Sequence, residues 1–237
     1  MEPVNIQKVL EGLLWYIAFL FSIILHEAAH AFTAYKLGDQ TAYLGGQVTL
    51  DPRPHIRREP VGTVIIPIVS YLLGGWMIGW ASIPFDFEWG LRHPKRLGLM
   101  SMAGPAANLA LALLAALAMR AGLLVGVFVA PDHISFGQVT EAANAGFFEG
   151  VATFVSILFS LNLLLFLFNL LPVPPLDGNA ILPSFLKEEH ARRYLMFMRN
   201  PGVAFVGLLL AWNLFGYIFH PIHLQCINLL YPDLRYE

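Results

Sequence analysis

Residues 12–35 of the chain read GLLWYIAFLFSIILHEAAHAFTAY, an apolar run that only three ionisable side chains interrupt. Since about 20 apolar residues cross the hydrocarbon core of a bilayer as a helix, the run predicts a membrane-spanning helix. The interruptions are His26, Glu27 and His30. Each ionisable group costs roughly 2–3 kcal/mol at membrane depth, so three of them in five residues need a common reason.

The composition of the whole chain also indicates a membrane protein. The 237 residues are 57% hydrophobic and 13% charged, whereas soluble domains are about a quarter charged. This balance excludes a soluble globular enzyme and a disordered chain. A net charge of -2 offers no basic surface to nucleic acid. We therefore expect an all-α polytopic membrane protein with the lipid bilayer as its partner and no nucleic-acid partner.

Further runs without Asp, Glu, Lys or Arg give the remaining spans. We expect a bundle of about five to six transmembrane segments, all within a single domain over residues 1–237. The expected core spans are about 12–35, 97–119 and 150–171, with 61–85 re-entrant and 200–224 peripheral.

Lysine and arginine are unevenly distributed among the loops. Loops 36–60, 86–96 and 187–199 are basic, whereas 131–149 contains neither residue. The positive-inside rule puts the three basic loops in the cytoplasm and 131–149 outside. The loops on either side of 61–85 then share one face of the membrane, which predicts a re-entrant segment. One ordinary helix, with the charge rule failing at one loop, is an equal alternative.

The ionisable residues of the first run form an HExxH motif, His26-Glu27-Ala28-Ala29-His30. Two histidines at i and i+4 lie on one face of a helix, where both imidazoles can bind one zinc ion. Glu27 between them can act as general base toward water. The alternative is a helix end at which polar residues emerge into water.

A second motif, Asn169-Leu-Leu-Pro-Val-Pro-Pro-Leu-Asp177-Gly178, follows the span at 150–171. Its prolines prevent helix continuation, and Gly178 permits close approach or an unusual backbone angle. A catalytic zinc takes three protein ligands, and a carboxylate is an accepted third one. Asp177 is therefore a candidate ligand, with a turn or capping aspartate as the alternative.

Together the two motifs resemble the site-2 protease family of intramembrane zinc metalloproteases. The match includes Phe21, five residues before His26, and the segment 103–108, AGPAAN. The resemblance covers roughly residues 15–50 and 97–182. It implies that zinc is bound by His26, His30 and Asp177, that Glu27 is catalytic, and that Asn169 holds substrate or polarises its carbonyl.

Two accessory features accompany the motifs. Gly104, Ala107 and Asn108 give one span a small face, which would let the two ligand-bearing spans pack closely. Val48–Leu50, between glycines and a proline, favours a short strand after the first span. A strand edge there could pair with an extended substrate, so we expect a small membrane-associated β hairpin. A surface hairpin is the alternative.

These observations predict an intramembrane zinc metalloendopeptidase, in a compact form without a PDZ or CBS domain. It would hydrolyse peptide bonds within or next to transmembrane segments, using zinc-activated water, Glu27 as general base and one zinc ion per chain. We expect a multi-pass protein of the cell membrane with its active site toward the cytoplasm. The first alternative is a catalytically silent zinc-binding scaffold, and the second is a metal-ion transporter. The oligomeric state and the physiological substrate stay open.

The other polar residues of the spans and loops are given structural roles. We expect His55 to be solvated in a loop, and His220 and His223 to lie at the membrane interface rather than at a second metal site. Asn162 and Asn213, within spans, are expected to make interhelical hydrogen bonds.

Overall fold

The structure, a computed structural model, describes residues 6–237, so the first five residues of the predicted domain lie outside the described residues. Helices account for most of it. In chain order the elements are α1 (Ile6–Leu37), α2 (Thr41–Leu44), α3 (Pro52–Arg58), a π-helical turn (Val61–Ile65) that continues into α4 (Ile66–Gly74), α5 (Phe87–Arg92), α6 (Pro94–Leu124), β1 (Phe128–Val129), β2 (Glu141–Ala142), α7 (Phe147–Asn169), α8 (Gly178–Ile181), a 3₁₀ turn (Leu182–Phe185), α9 (Glu188–Met198) and α10 (Pro201–Leu230).

The predicted all-α polytopic class is confirmed. Within residues 6–237, four helices are long and apolar enough to cross a membrane, namely α1, α6, α7 and α10. The shorter apolar helix Val61–Gly74 is the fifth apolar segment of the five to six that the sequence predicts.

The three central helices alternate in direction. α6 contacts both α1 and α7 along its length. Trp15 of α1 and Ile157 of α7 share one buried cluster. Further along both helices, Ser22 of α1 contacts Asn162 of α7. Residue numbers therefore increase in the same direction along α1 and α7. These two helices are parallel, and α6 lies antiparallel between them. α10 packs on α7 through Phe215 and His223 and leaves most of its remaining surface exposed.

The hairpin that was predicted after the first span is wrongly placed. Within the described chain, the only paired strands are β1 and β2, antiparallel with Phe128 opposite Ala142, and they connect α6 to α7. Val48–Leu50 forms bends instead of a strand. The loop between α6 and α7 can pair because it holds the two short β-compatible segments within hydrogen-bonding reach of each other.

The reason that no strand forms at Val48–Leu50 lies in the residues that follow. Asp51 is the N-cap of α3 and accepts a hydrogen bond from the Arg53 backbone N–H at 3.0 Å, and Pro52 occupies the first helical position. An Asp-Pro pair is a strong helix start. Hydrogen bonds from Arg53 lower the pKa of the Asp51 carboxyl to about 2, which keeps the cap ionised. The chain therefore enters a helix directly after the residues for which the sequence predicted a strand.

The segment 61–85 folds back on itself. α4 is capped by Gly75, which has a left-handed φ of 75°. The chain then returns until the Trp80 backbone N–H donates to the Gly62 carbonyl at 3.1 Å. A Cβ at Gly79 would overlap that same carbonyl, so only glycine allows the two backbones to approach so closely. The return brings both ends of the segment together. Re-entry into the bilayer stays a prediction.

Candidate metal centre

The three ligands predicted from the motifs lie together at one point of the bundle. His26 Nε2 and His30 Nε2 are 2.9 Å apart, and each lies 3.1 Å from a different carboxylate oxygen of Asp177. Both histidines are buried, and the Asp177 side chain is 19% exposed. One ligand atom from each residue lies within 4.8 Å of the others, which is the arrangement that a single metal ion requires.

Local structure explains how each ligand reaches this point. His26 and His30 are one turn apart on α1, and their rings meet edge to face with centroids 4.5 Å apart. Asp177 lies beyond the end of α7, where the proline-rich segment turns the chain back. Gly178 packs against the backbone carbonyls of Leu170 and Leu171, and any Cβ there would overlap both. That close approach holds Asp177 beneath the end of α7.

The protonation of the imidazoles suits a metal. His30 Nδ1 donates to the Met100 carbonyl at 2.7 Å, and His26 Nδ1 donates to Asn108 Oδ1 at 2.6 Å. Both Nε2 atoms therefore present lone pairs toward each other and toward the Asp177 carboxylate. With neutral imidazoles, three electron-pair donors face one another here, and a bound cation would hold them together.

The donor set fits zinc. Two imidazole nitrogens and one carboxylate oxygen form the donor set of a typical catalytic zinc site, in which water is the fourth ligand. Asp177 Oδ2 is buried and has no hydrogen-bond donor among the described residues, which leaves it available to a metal. The residues present therefore fit the metal that the sequence predicted.

Gly104 of α6 forms one wall of the cluster. A Cβ at this position would overlap His30 Nε2 and His26 Nε2, the two atoms that face Asp177. The small face predicted for this span thus lies directly against the candidate ligands, and Asn108, one turn further along, orients His26.

Glu27 is buried beside the cluster. It lies within electrostatic range of His26, His30 and Asp177. The motif therefore places a buried carboxylate close to the candidate metal ligands, as a general base requires.

Asn169 is not brought to the cluster by the contacts of residues 6–237. Its side-chain amide donates to the Leu165 carbonyl of its own helix at 3.0 Å. Its predicted contact with substrate stays a prediction.

Two buried histidines escaped the sequence reasoning. His55, expected to be solvated, is fully buried; Nε2 donates to the Thr49 carbonyl at 3.1 Å, and Nδ1 has no hydrogen-bond partner in the described chain. The Asp-Pro helix start was the available signal, because it puts His55 inside α3 rather than in a loop. His223 is also buried and contacts Ser160 at 2.9 Å rather than lying at the interface.

Comparison with known proteins identifies the class. The model of Peptidase family M50, the site-2 protease family, matches residues 14–214. The chain belongs to this family, as the motifs indicated. No solved structure gives a significant match.

Two relatives cover most of the chain. "Putative zinc metalloprotease YwhC" of Bacillus subtilis (strain 168) is 39% identical over 172 residues, which cover 72% of this chain and 68% of the relative. Rip2 of Mycobacterium tuberculosis (strain ATCC 25618 / H37Rv), which carries the same description, is 33% identical over 204 residues, covering 86% of this chain and 69% of the relative.

Proposed function

We propose that this chain is an intramembrane zinc metalloendopeptidase that hydrolyses peptide bonds within or next to transmembrane segments of membrane proteins. One observation carries the proposal: His26, His30 and Asp177 converge at a buried point beside Glu27. A purely structural metal site needs no adjacent buried base, whereas hydrolysis does.

Zinc would be held by His26 Nε2, His30 Nε2 and Asp177, one ion per chain. When bound, it supplies Lewis acidity that polarises a carbonyl and makes water acidic enough to react near neutral pH. The chain's contribution is to hold the three ligands in fixed positions, which Asn108, Met100 and Gly104 do through the contacts described above.

Glu27 moves the proton. Its carboxylate accepts a proton from the water that attacks the scissile carbonyl carbon, and it then delivers that proton to the nitrogen of the leaving amine. The new carbon–oxygen bond replaces the broken carbon–nitrogen bond, so Glu27 ends the cycle as it began. Burial near the cluster keeps this carboxylate away from bulk water.

Asn169 is proposed to hold the substrate or polarise its carbonyl. It lies in the last turn of α7, the helix that leads to Asp177. Because its amide donates to Leu165 in this structure, the side chain must turn to reach substrate.

We place the active site toward the cytoplasmic face. The end of α1 and the start of α6 lie together there, since Arg96 donates to the Leu37 carbonyl at 3.2 Å, and Arg192 of α9 joins them by donating to Leu91 at 3.0 Å. All but three of the 14 Lys and Arg residues belong to the connections at this end, the exceptions being Lys8, Arg120 and Arg235. The positive-inside rule makes such an end cytoplasmic.

The substrate is proposed to be a transmembrane protein or peptide. A peptide bond within a helix is shielded by the helix's own hydrogen bonds, so the substrate must be extended locally at the cluster. Of the three candidate ligands, Asp177 has the most exposed side chain, which puts the open side of the centre next to α8 and the proline-rich turn.

The experiment compares membrane proteomes of cells that express the wild-type chain or Glu27→Gln. We expect truncated membrane proteins, cut within or beside spans, only with the wild-type chain. Equal cleavage by both would contradict the role of Glu27. Zinc retention without any Glu27-dependent fragment would favour the silent scaffold, and zinc flux in liposomes that contain the purified protein would favour the transporter.

A further inference from the structure

A chain of buried hydrogen bonds leads from the candidate metal centre through three helices. His26 donates to Asn108 of α6 at 2.6 Å, Asn108 donates to Asn162 of α7 at 2.8 Å, and Asn162 donates to Ser22 of α1 at 2.8 Å. Ser22, Asn108 and Asn162 are fully buried. The path leaves α1 at His26 and returns to it one turn earlier.

Which group donates and which accepts in each of these hydrogen bonds is determined from the end of the series at Ser22. The Ser22 hydroxyl donates to the Ala18 carbonyl at 2.6 Å, so its oxygen is left to accept. Asn162 Nδ2 meets two acceptors, Ser22 Oγ and the Leu158 carbonyl, both at 2.8 Å. The amide nitrogen of Asn162 must therefore face these two atoms, because an amide oxygen there would face a carbonyl oxygen.

The orientation of the Asn162 amide then determines the donors and acceptors of Asn108 and His26. With Asn162 Nδ2 fixed, Oδ1 faces α6 and requires a donor, so Asn108 presents its Nδ2 there. Asn108 Oδ1 then faces His26, whose Nδ1 must carry the hydrogen. In that tautomer, Nε2 of His26 has its lone pair free toward His30 and Asp177.

We infer that Asn162 and Ser22 are positioning residues, which act through Asn108 to fix His26 in the tautomer that binds a metal through Nε2. The inference rests on the proposed function for its biological purpose, and it adds two residues whose side-chain hydrogen bonds go to neither the candidate ligands nor Glu27. Direct hydrogen-bond partners of metal-ligating histidines typically change metal affinity 10–100-fold when removed, and Asn162 and Ser22 hold such a partner, Asn108, in place.

Asn162→Leu tests the inference in the 237-residue chain, purified in detergent. Without Asn162 Oδ1, the Asn108 amide is free to rotate and offer Nδ2 to His26, which favours the tautomer with hydrogen on Nε2. We expect zinc affinity, measured by competition with a chelator, to fall about 10–100-fold. In metal-free protein labelled with ¹⁵N-histidine, we expect the His26 signals, assigned by comparison with His26→Ala, to lose the pattern of the Nδ1–H form.

Asn213→Leu is the matched control. Asn213 lies in another apolar helix, α10, and its Nδ2 makes the same local bond that Asn162 makes, to the carbonyl four residues earlier, Leu209, at 2.8 Å. It has no part in the hydrogen-bond chain, so its zinc affinity and His26 spectrum should match the wild type. Ser22→Ala removes one of the two acceptors of Asn162 and should shift both readouts in the same direction as Asn162→Leu, by less.

The outcomes separate this inference from the proposed function. Unchanged zinc affinity with an intact Nδ1–H signal in folded Asn162→Leu would overturn it. Should that variant not fold, Ser22→Ala decides, and wild-type values for both measurements there overturn the inference. Neither readout uses a substrate, so a wild-type chain that binds zinc and cleaves nothing contradicts the proteolytic function alone.

Discussion

His26 Nε2 and Asp177 Oδ2 lie 3.1 Å apart, although they belong to opposite halves of the chain. They meet because α1 and α7 are parallel, with their C-terminal ends at the same side of the bundle, and because the chain turns back immediately after α7. The packing of two helices therefore determines the candidate metal centre as much as the HExxH motif does.

Glu27→Gln should abolish proteolysis while zinc is retained. Glutamine preserves the shape of the side chain and cannot accept a proton from water. Loss of a general base typically lowers the rate about 10²–10⁴-fold. Cleavage of a reconstituted membrane substrate and zinc content, measured on the same preparation, check this, and full activity in the variant would contradict it.

His30→Ala should lose zinc. The variant removes one of three ligands and leaves Asp177 with a single imidazole partner. We expect one zinc ion per chain in the wild type and close to none in the variant, measured by elemental analysis of the purified protein. His220→Ala is the control, because His220 is exposed and far along α10. Equal zinc loss in both variants would count against the site.

Gly104→Ala should weaken zinc binding through sterics alone. The added methyl group would occupy the space of the two Nε2 atoms, so the imidazoles must shift from the positions in which both face Asp177. Gly150→Ala, in α7, adds the same methyl group where no atom lies within 4 Å. We expect reduced zinc affinity in the first variant and wild-type affinity in the second. Wild-type affinity in both would mean that α6 does not form the wall of the site.

Cysteine labelling should show the orientation in the membrane. In a Cys226→Ser background, His133→Cys between α6 and α7 should react with an impermeant maleimide in intact cells. His190→Cys in α9 should react only after the cells are opened. Both native residues are exposed, so their accessibility depends on the side of the membrane. The reverse pattern would put the candidate active site outside.

His55→Ala should destabilise the protein without removing a candidate ligand. The imidazole fills a fully buried space and anchors the Thr49 carbonyl, which would lose its partner at a cost of about 1–3 kcal/mol. Thermal unfolding in detergent should occur at lower temperature, whereas exposed His133→Ala should match the wild type. Equal unfolding temperatures would show that the His55 contact contributes nothing to stability.

Much of the fold and the ligand cluster was predictable because the signals were local. Apolar length gives α1, α6, α7 and α10 directly, and i, i+4 spacing places His26 and His30 on one face. The position of Asp177 needed one further step, which was the orientation of two spans from loop charge.

The features that sequence reasoning missed depend on competition between local preferences or on three-dimensional packing. Val48–Leu50 favours a strand by composition, but the helix start at Asp51 and Pro52 prevails because it satisfies backbone N–H groups at once. The same helix start puts His55 inside α3 instead of in a loop. The sequence predicts that Asn162 makes interhelical hydrogen bonds. Which of its atoms donates and which accepts depends on groups of three helices, and this is visible only in the structure.

The division of the candidate ligands between residues 26–30 and residue 177 has a consequence for biogenesis. A nascent chain that has inserted only its first helix carries two imidazoles and a carboxylate in lipid without their stabilising neighbours. Those neighbours arrive with α6 and α7, and the third ligand leaves the ribosome later still. Binding of one ion by all three candidate ligands therefore requires synthesis beyond residue 177, so a product that is truncated before this residue could not hold zinc in this way.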